Sequence, residues 1–136
     1  MVDVVAIILY NYKGQVLIAK RKEEKKLGGY WEFPGGKVEN GETDVEAVIR
    51  ELKEEMDVEI IVEDYIGESI YHYKGRNTIR LHAYKGKIIT GEIKLSDHSI
   101  YKWVSVNELK DFELAPADKP FINMIKKRAH RDTPLR

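Results

Sequence analysis

Residues 4–10 form an unbroken apolar run rich in Val and Ile, the pattern of a buried strand. Residues 11–14 carry turn chemistry, and 16–20 read as the returning strand of a hairpin. A charged loop over 22–29 ends in a glycine pair; the aromatic stretch 30–33 is brief, and Pro34, Gly35 and Gly36 break it. Val45, Val48, Ile49, Leu52 and Met56 then recur at helical spacing as one apolar stripe. Thr43 and Glu46 form a capping box at its start. Residues 58–62, 65–73, 78–89 and 100–104 read as strands, with Ile79, Leu81 and Ala83 alternating onto one face. Ser105 and Glu108 make a second capping box opening a short helix, and Asp118 precedes a final helix that tolerates Pro120 in its first turn. The pattern predicts an α/β (α+β) domain over 1–128, a mixed sheet with helices packed on it, and a polar tail, 129–136, expected to fray.

Composition narrows the chemistry. A chain of 136 residues is one domain, long enough to close a core. The absence of cysteine excludes a disulfide scaffold, a thiolate nucleophile and a Cys-ligated metal. The 23 Lys and Arg balance 23 Asp and Glu, which argues against bulk capture of polymeric nucleic acid. The N-terminal apolar stretch is too short to span a membrane and has no basic lead-in or cleavage site, so no membrane association and a cytoplasmic location are expected. Whether the chain is a monomer or a homodimer is left open.

Charge distribution says more than its sum. Glu51, Glu54 and Glu55 fall at i, i+3 and i+4 of the predicted helix, beside its apolar stripe. Like charges at these spacings repel, and a hard divalent cation reverses that sign, because Mg²⁺ prefers carboxylate oxygens. A solvated acidic face near Arg50 and Lys53 is the plain alternative. Upstream, Gly35, Gly36, Lys37 and Gly41 lead directly into the helix. Glycines let backbone approach a ligand and a lysine supplies a point charge for phosphate, so loop and helix together suit a diphosphate.

Gly36, five residues, Glu42, seven residues, then Arg50 through Met56 and Val58 resembles the Nudix box. Asp57 departs from it, since the family usually has glycine there; the position follows a helix C-terminus where a left-handed residue is favoured. The resemblance implies a Nudix α/β/α sandwich and Mg²⁺- or Mn²⁺-dependent hydrolysis of a nucleoside diphosphate linked to a further group. Carried over by position, Glu51, Glu54 and Glu55 would ligate metal with the Gly35 carbonyl. Arg50 would orient the carboxylates, Glu42 would brace the loop and Lys37 would touch phosphate. Glu51 and Glu54 are both candidates for the catalytic base.

Beyond the box, residues 4–21, 29–36 and Leu114 to Asp118 (LAPAD) are similar to MutT-type nucleoside triphosphate pyrophosphohydrolases, the last motif especially to their CTP and 5-methyl-dCTP branch. The substrate implied is a free nucleotide, a cytidine-type or an oxidised or modified (d)NTP. By matching position, Arg21 would contact it, Phe33 would line the base pocket and Asp118 would read the base edge, or else merely cap the final helix. An ionised Asp118 only accepts hydrogen bonds, which suits the cytosine amino group and disfavours a keto edge. Asp97, six residues before Trp103, matches an acidic residue that supplements the metal site. Its neighbour His98 reads as neither base nor ligand, and His72, His82 and His130 show no ligand spacing. Trp31 and Tyr30 read as base stackers or as core filling, and Arg76 and Asn77 match substrate-contacting hairpin positions only loosely. Two other readings stand beside the first: a Nudix hydrolase of ADP-ribose or a dinucleoside polyphosphate, and a nucleotide-binding module without catalysis.

Overall fold

The computed structural model describes residues 1–132, with side chains as far as Arg128. Its strands are β1 (Val2–Leu9), β2 (Val16–Arg21), β3 (Trp31–Glu32), β4 (Gly35–Lys37), β5 (Glu59–His72), β6 (Thr78–Thr90) and β7 (His98–Val104). Helix α1 spans Asp44–Met56 and α2 spans Pro120–Asp132, with a 3₁₀ helix over Val106–Asp111 before α2. Helix α2 thus covers the first four residues of the expected tail, and 133–136 lie outside the described residues. No helix of the described residues is long and apolar enough to cross a membrane.

The strands form two sheets, ordered β4-β1-β6-β5 and β3-β2-β7. In the first, β1 runs parallel to β6 while β4 and β5 are antiparallel to their neighbours, so this sheet is mixed. The apolar runs have a direct cause. Val5, Ile7 and Leu9 of β1 and Leu17 and Ala19 of β2 pack with Ala47, Val48, Leu52 and Met56 of α1. The intervening Ala6, Ile8, Val16 and Ile18 pack on the opposite side with Phe121 and Ile125 of α2. Both strands are covered twice, and neither face can be polar.

The structure departs from expectation at three places. Residues 11–14 do turn, with the Asn11 N–H bonded to the Gln15 carbonyl at 3.0 Å, but β1 and β2 then part into different sheets; Tyr10 and Val16 alone bridge them. The predicted strands 58–62 and 65–73 are one strand, β5, because bulges between Val62 and Asp64 and between Tyr65 and Gly67 absorb the polar interruption. The glycine loop is partly a strand: Gly35 and Gly36 pair with Ala6 and Val5 as the edge strand β4. A side chain on Gly35 would strike the Val5 carbonyl, so only glycine permits this approach.

Candidate active site

Helix α1 is seated by its capping box: the Thr43 N–H donates to the Glu46 carboxylate at 2.9 Å, and the Glu46 N–H to Thr43 Oγ1 at 3.1 Å. It ends at Asp57, left-handed at φ +56°, whose carboxylate pairs with Lys53 at 2.8 Å. The buried face keeps Val48, Leu52 and Met56 of the predicted stripe but is turned relative to it. Val45 and Ile49 are exposed, while Ala47, Val48, Leu52, Glu55 and Met56 are buried. That rotation carries Glu55 into the protein, 9% exposed, with Oε2 lacking a hydrogen-bond partner. Burial, then the charges of Glu51, Glu32 and Asp97, pushes its carboxyl up to about 9. Burial also raises Glu51, opposed by a 3.0 Å bond from Arg50 Nη1.

Arg50 organises the rest. Its Nε and Nη2 grip both oxygens of Glu42, at 2.7 and 3.0 Å, and hold that carboxyl down to about 2. Nη1 reaches Glu51 and, at 3.3 Å, Glu54; Nη2 also donates to the Lys37 carbonyl at 3.0 Å. The arginine ties α1 to β4 across the Gly41 turn. A Cβ on Gly36 would land on the Glu51 carboxylate, so the strand backbone and this acid are in direct contact. Among the described residues no three carboxylates or imidazoles are already gathered as a metal cage, because Glu51 and Glu54 are turned onto Arg50. The donor set itself fits a hard divalent cation: three carboxylates on one helix, one with a buried oxygen lacking a partner, against a backbone strand.

Strand β4 is also a wall of a cleft of about 740 Å³, lined among others by Arg21, Lys26, Glu32, Lys37, Tyr73 and Arg76. His72 and Asn77 line it too. A recess of about 150 Å³ shares Arg21, Glu32, Lys37 and Tyr73 with the cleft and adds Phe33, Gly35, Gly36 and Asp118. Nine residue positions named from the sequence therefore meet here: Arg21, Phe33, Gly35, Lys37 and Asp118 around the cavities, and Arg50, Glu51, Glu54 and Glu55 behind β4. Asp97 lies close enough to raise Glu55, although its carboxylate pairs with Lys25 at 3.5 Å.

Asp118 lines the recess and departs from the capping reading. Its carboxylate does not cap α2; Oδ2 accepts the Phe33 N–H at 2.9 Å, joining the recess floor to the segment before α2. Burial first, then Glu32, holds the carboxyl well above the usual carboxylate range. Burial therefore works against the ionised, accept-only form on which the sequence reading of the base edge relied.

Trp31 packs edge-on against Phe112 with ring centres 5.2 Å apart, which is core filling. His82 sits between Asp44 at 2.9 Å and Glu68 at 3.3 Å, outside the cleft; the side chain of His130 lies outside the described residues. Sequence reasoning missed Glu32 and Tyr73. Glu32 bonds Arg21 and His98, and the Tyr73 hydroxyl accepts the Ala117 N–H at 3.0 Å. A lone acid between two aromatics in Trp31, Glu32 and Phe33 was the available signal; its partners 11 and 66 residues away were not.

Comparison with known proteins agrees with this geometry. A family model described as the NUDIX domain matches residues 1–125. The CTP pyrophosphohydrolase of Escherichia coli is 37% identical over 90% of this chain and 89% of its own. A putative 8-oxo-dGTP diphosphatase 2 of Mycobacterium tuberculosis is 41% identical over 79% of this chain and 76% of its own. Among solved structures, the E. coli ORF135 protein superposes with a TM-score of 0.85 at 36% identity, covering 98% of this chain and 95% of that one. The family generally depends on divalent metals. With its box on α1 and β4 and its match along nearly the whole length, the chain belongs to the Nudix family of hydrolases.

Proposed function

We propose that the protein hydrolyses nucleoside triphosphates, ribo- or deoxyribo-, to a nucleoside monophosphate and pyrophosphate, using Mg²⁺ or Mn²⁺ in the cytoplasm. Cytidine-type or oxidised and modified nucleotides are the preferred substrates. The observation that carries the reading is the double role of β4: one side touches the carboxylate of Glu51, the other lines the cleft beside Lys37 and Arg21. A ligand whose phosphates lay along β4 would have that anionic end beside the acidic cluster, which is tolerable only with cations between them.

Glu51, Glu54, Glu55 and the Gly35 carbonyl would hold the metal. When bound, it would neutralise phosphate oxygens and lower the pKa of the attacking water. Water oxygen bonds to one phosphorus of the α–β anhydride, the bridging P–O bond breaks with its electrons going to the other unit's oxygen, and nucleoside monophosphate and pyrophosphate separate. Glu51 or Glu54 takes the proton the water gives up. Arg50 orients these two carboxylates, Glu42 holds Arg50, and Lys37 and Arg21 meet the phosphates. Phe33 and Asp118 form the floor of the base recess, and Asp97 adds charge beside Glu55. The preference for cytidine-type substrates rests on the similarity to the CTP pyrophosphohydrolase, whose name states its substrate.

A release assay decides the substrate class. Wild-type chain with Mg²⁺ is offered CTP, dCTP, 5-methyl-dCTP, 8-oxo-dGTP, UTP and ADP-ribose, and products are separated. Pyrophosphate and a monophosphate from cytidine or modified nucleotides are expected. Turnover confined to ADP-ribose contradicts the reading.

A further inference from the structure

His98 is 1% exposed, more deeply buried than any other polar or charged residue of the described chain, and the nucleotide chemistry above does not use it. Its Nε2 lies 2.8 Å from Glu32 Oε2, and Arg21 Nη1 lies 3.3 Å from that same oxygen. Arg21 Nε then donates to the Lys26 carbonyl at 2.7 Å. Four groups are thereby joined in series, from the core to the rim of the cleft.

We propose that Glu32 and His98 are positioning residues for Arg21: the imidazole, anchored in the core, fixes the Glu32 carboxylate, and the carboxylate fixes the guanidinium where cleft and recess meet.

Three further observations support the series. Arg21 and His98 are register partners between β2 and β7, and the register shifts between Lys20 and Arg21. A bulge re-aims the side chain it carries, and bulges recur beside active sites. The second is the cost of the arrangement. A carboxylate oxygen accepts, so His98 Nε2 donates to it, and Nδ1 is left buried with no partner. A residue chosen for stability alone would not leave a buried nitrogen unsatisfied. The third is Leu27, held at φ +58°, a left-handed conformation rare for a large side chain, and lining both cavities. The bond from Arg21 to Lys26 fastens the turn beside it. One guanidinium therefore sets both a charge and an apolar wall of the cleft.

This rests on the reading of Arg21 as a substrate contact, and the test separates the two. A double-mutant cycle of His98→Leu with Arg21→Ala is read as KM and kcat on the nucleotide that the wild-type chain hydrolyses best. His98→Gln is the conservative variant, since its amide nitrogen can donate from near the Nε2 position. His98→Leu should raise KM by about tenfold with kcat changed less than about threefold. That rise should vanish in the Arg21→Ala background, and His98→Gln should recover most of it. An equal rise in both backgrounds, or an unchanged KM alongside a lowered Tm, overturns the proposal and leaves His98 a packing residue. Should His98→Leu not fold, Glu32→Gln takes its place in the cycle with the same opposed outcomes. A wild-type chain inactive on every nucleoside triphosphate contradicts the substrate class alone; the cycle is then run on the nucleoside diphosphate derivative it does hydrolyse.

Discussion

Glu55 lies four residues along α1 from Glu51 and is 9% exposed, with its carboxyl pushed up to about 9 chiefly by burial. Between its ordinary value of 4.5 and that value the folded chain holds a proton that the unfolded chain gives up. Stability contributed by the neutral acid is present in full below 4.5 and is lost as pH rises toward 9. With chelator present, Tm should therefore fall from pH 5.5 to 9 more steeply in the wild type than in Glu55→Gln, measured by thermal unfolding at each pH. Superimposable slopes would show that the carboxyl ionises normally. The acids of the site were legible as a spacing on a helix, but their ionisation was not, because burial is a property of the assembled fold. Asp118 makes the same point: its base-edge reading took the carboxylate as ionised, and the Phe33 N–H that it accepts is 85 residues away.

At the scale of elements, β4 does two jobs that its three residues do not advertise. Gly35 lets the edge strand pass against the Val5 carbonyl, whereas Gly36 makes room for the Glu51 carboxylate. Alanine at the two positions should fail differently. Gly35→Ala meets backbone and should lower stability with loss of soluble protein. Gly36→Ala meets a side chain that can move; it should keep Tm within a few degrees but reduce kcat on the order of a hundredfold, the usual effect of a misplacement of about 1 Å. Equal losses of Tm would contradict this division. The doubly covered strands β1 and β2 were legible because an unbroken apolar run has few other fates. The fork that sends them into separate sheets was not, since the turn over 11–14 is the same in either topology. The stripe on α1 located the helix and three of its buried residues, Val48, Leu52 and Met56, but missed its edge, where Glu55 is drawn inward and Val45 and Ile49 are left exposed. Asp57 keeps the left-handed turn that the family usually gives to glycine, and its ion pair to Lys53 offsets part of that conformational cost. Asp57→Gly should raise Tm by no more than about five degrees and leave turnover unchanged, checked by thermal unfolding and a rate assay.

For the whole molecule, the balance of 23 basic against 23 acidic residues conceals a separation. Acids crowd α1 behind β4, with Arg50 bound to Glu42, Glu51 and Glu54, while Arg21, Lys26, Lys37 and Arg76 line the cleft before it. On the proposed function a nucleotide would enter from the basic side and its phosphates would approach the acidic one, where a cation would make the contact favourable. On the proposed mechanism these acids act through a divalent metal. Pyrophosphate release from the preferred nucleotide, measured with chelator and then with added Mg²⁺ for the wild type, Glu54→Gln and Glu55→Gln, tests it most directly. Release should be absent with chelator and restored by Mg²⁺ in the wild type. It should fall by orders of magnitude in both variants while they stay folded. Undiminished release under chelation, or in either variant, would contradict the account.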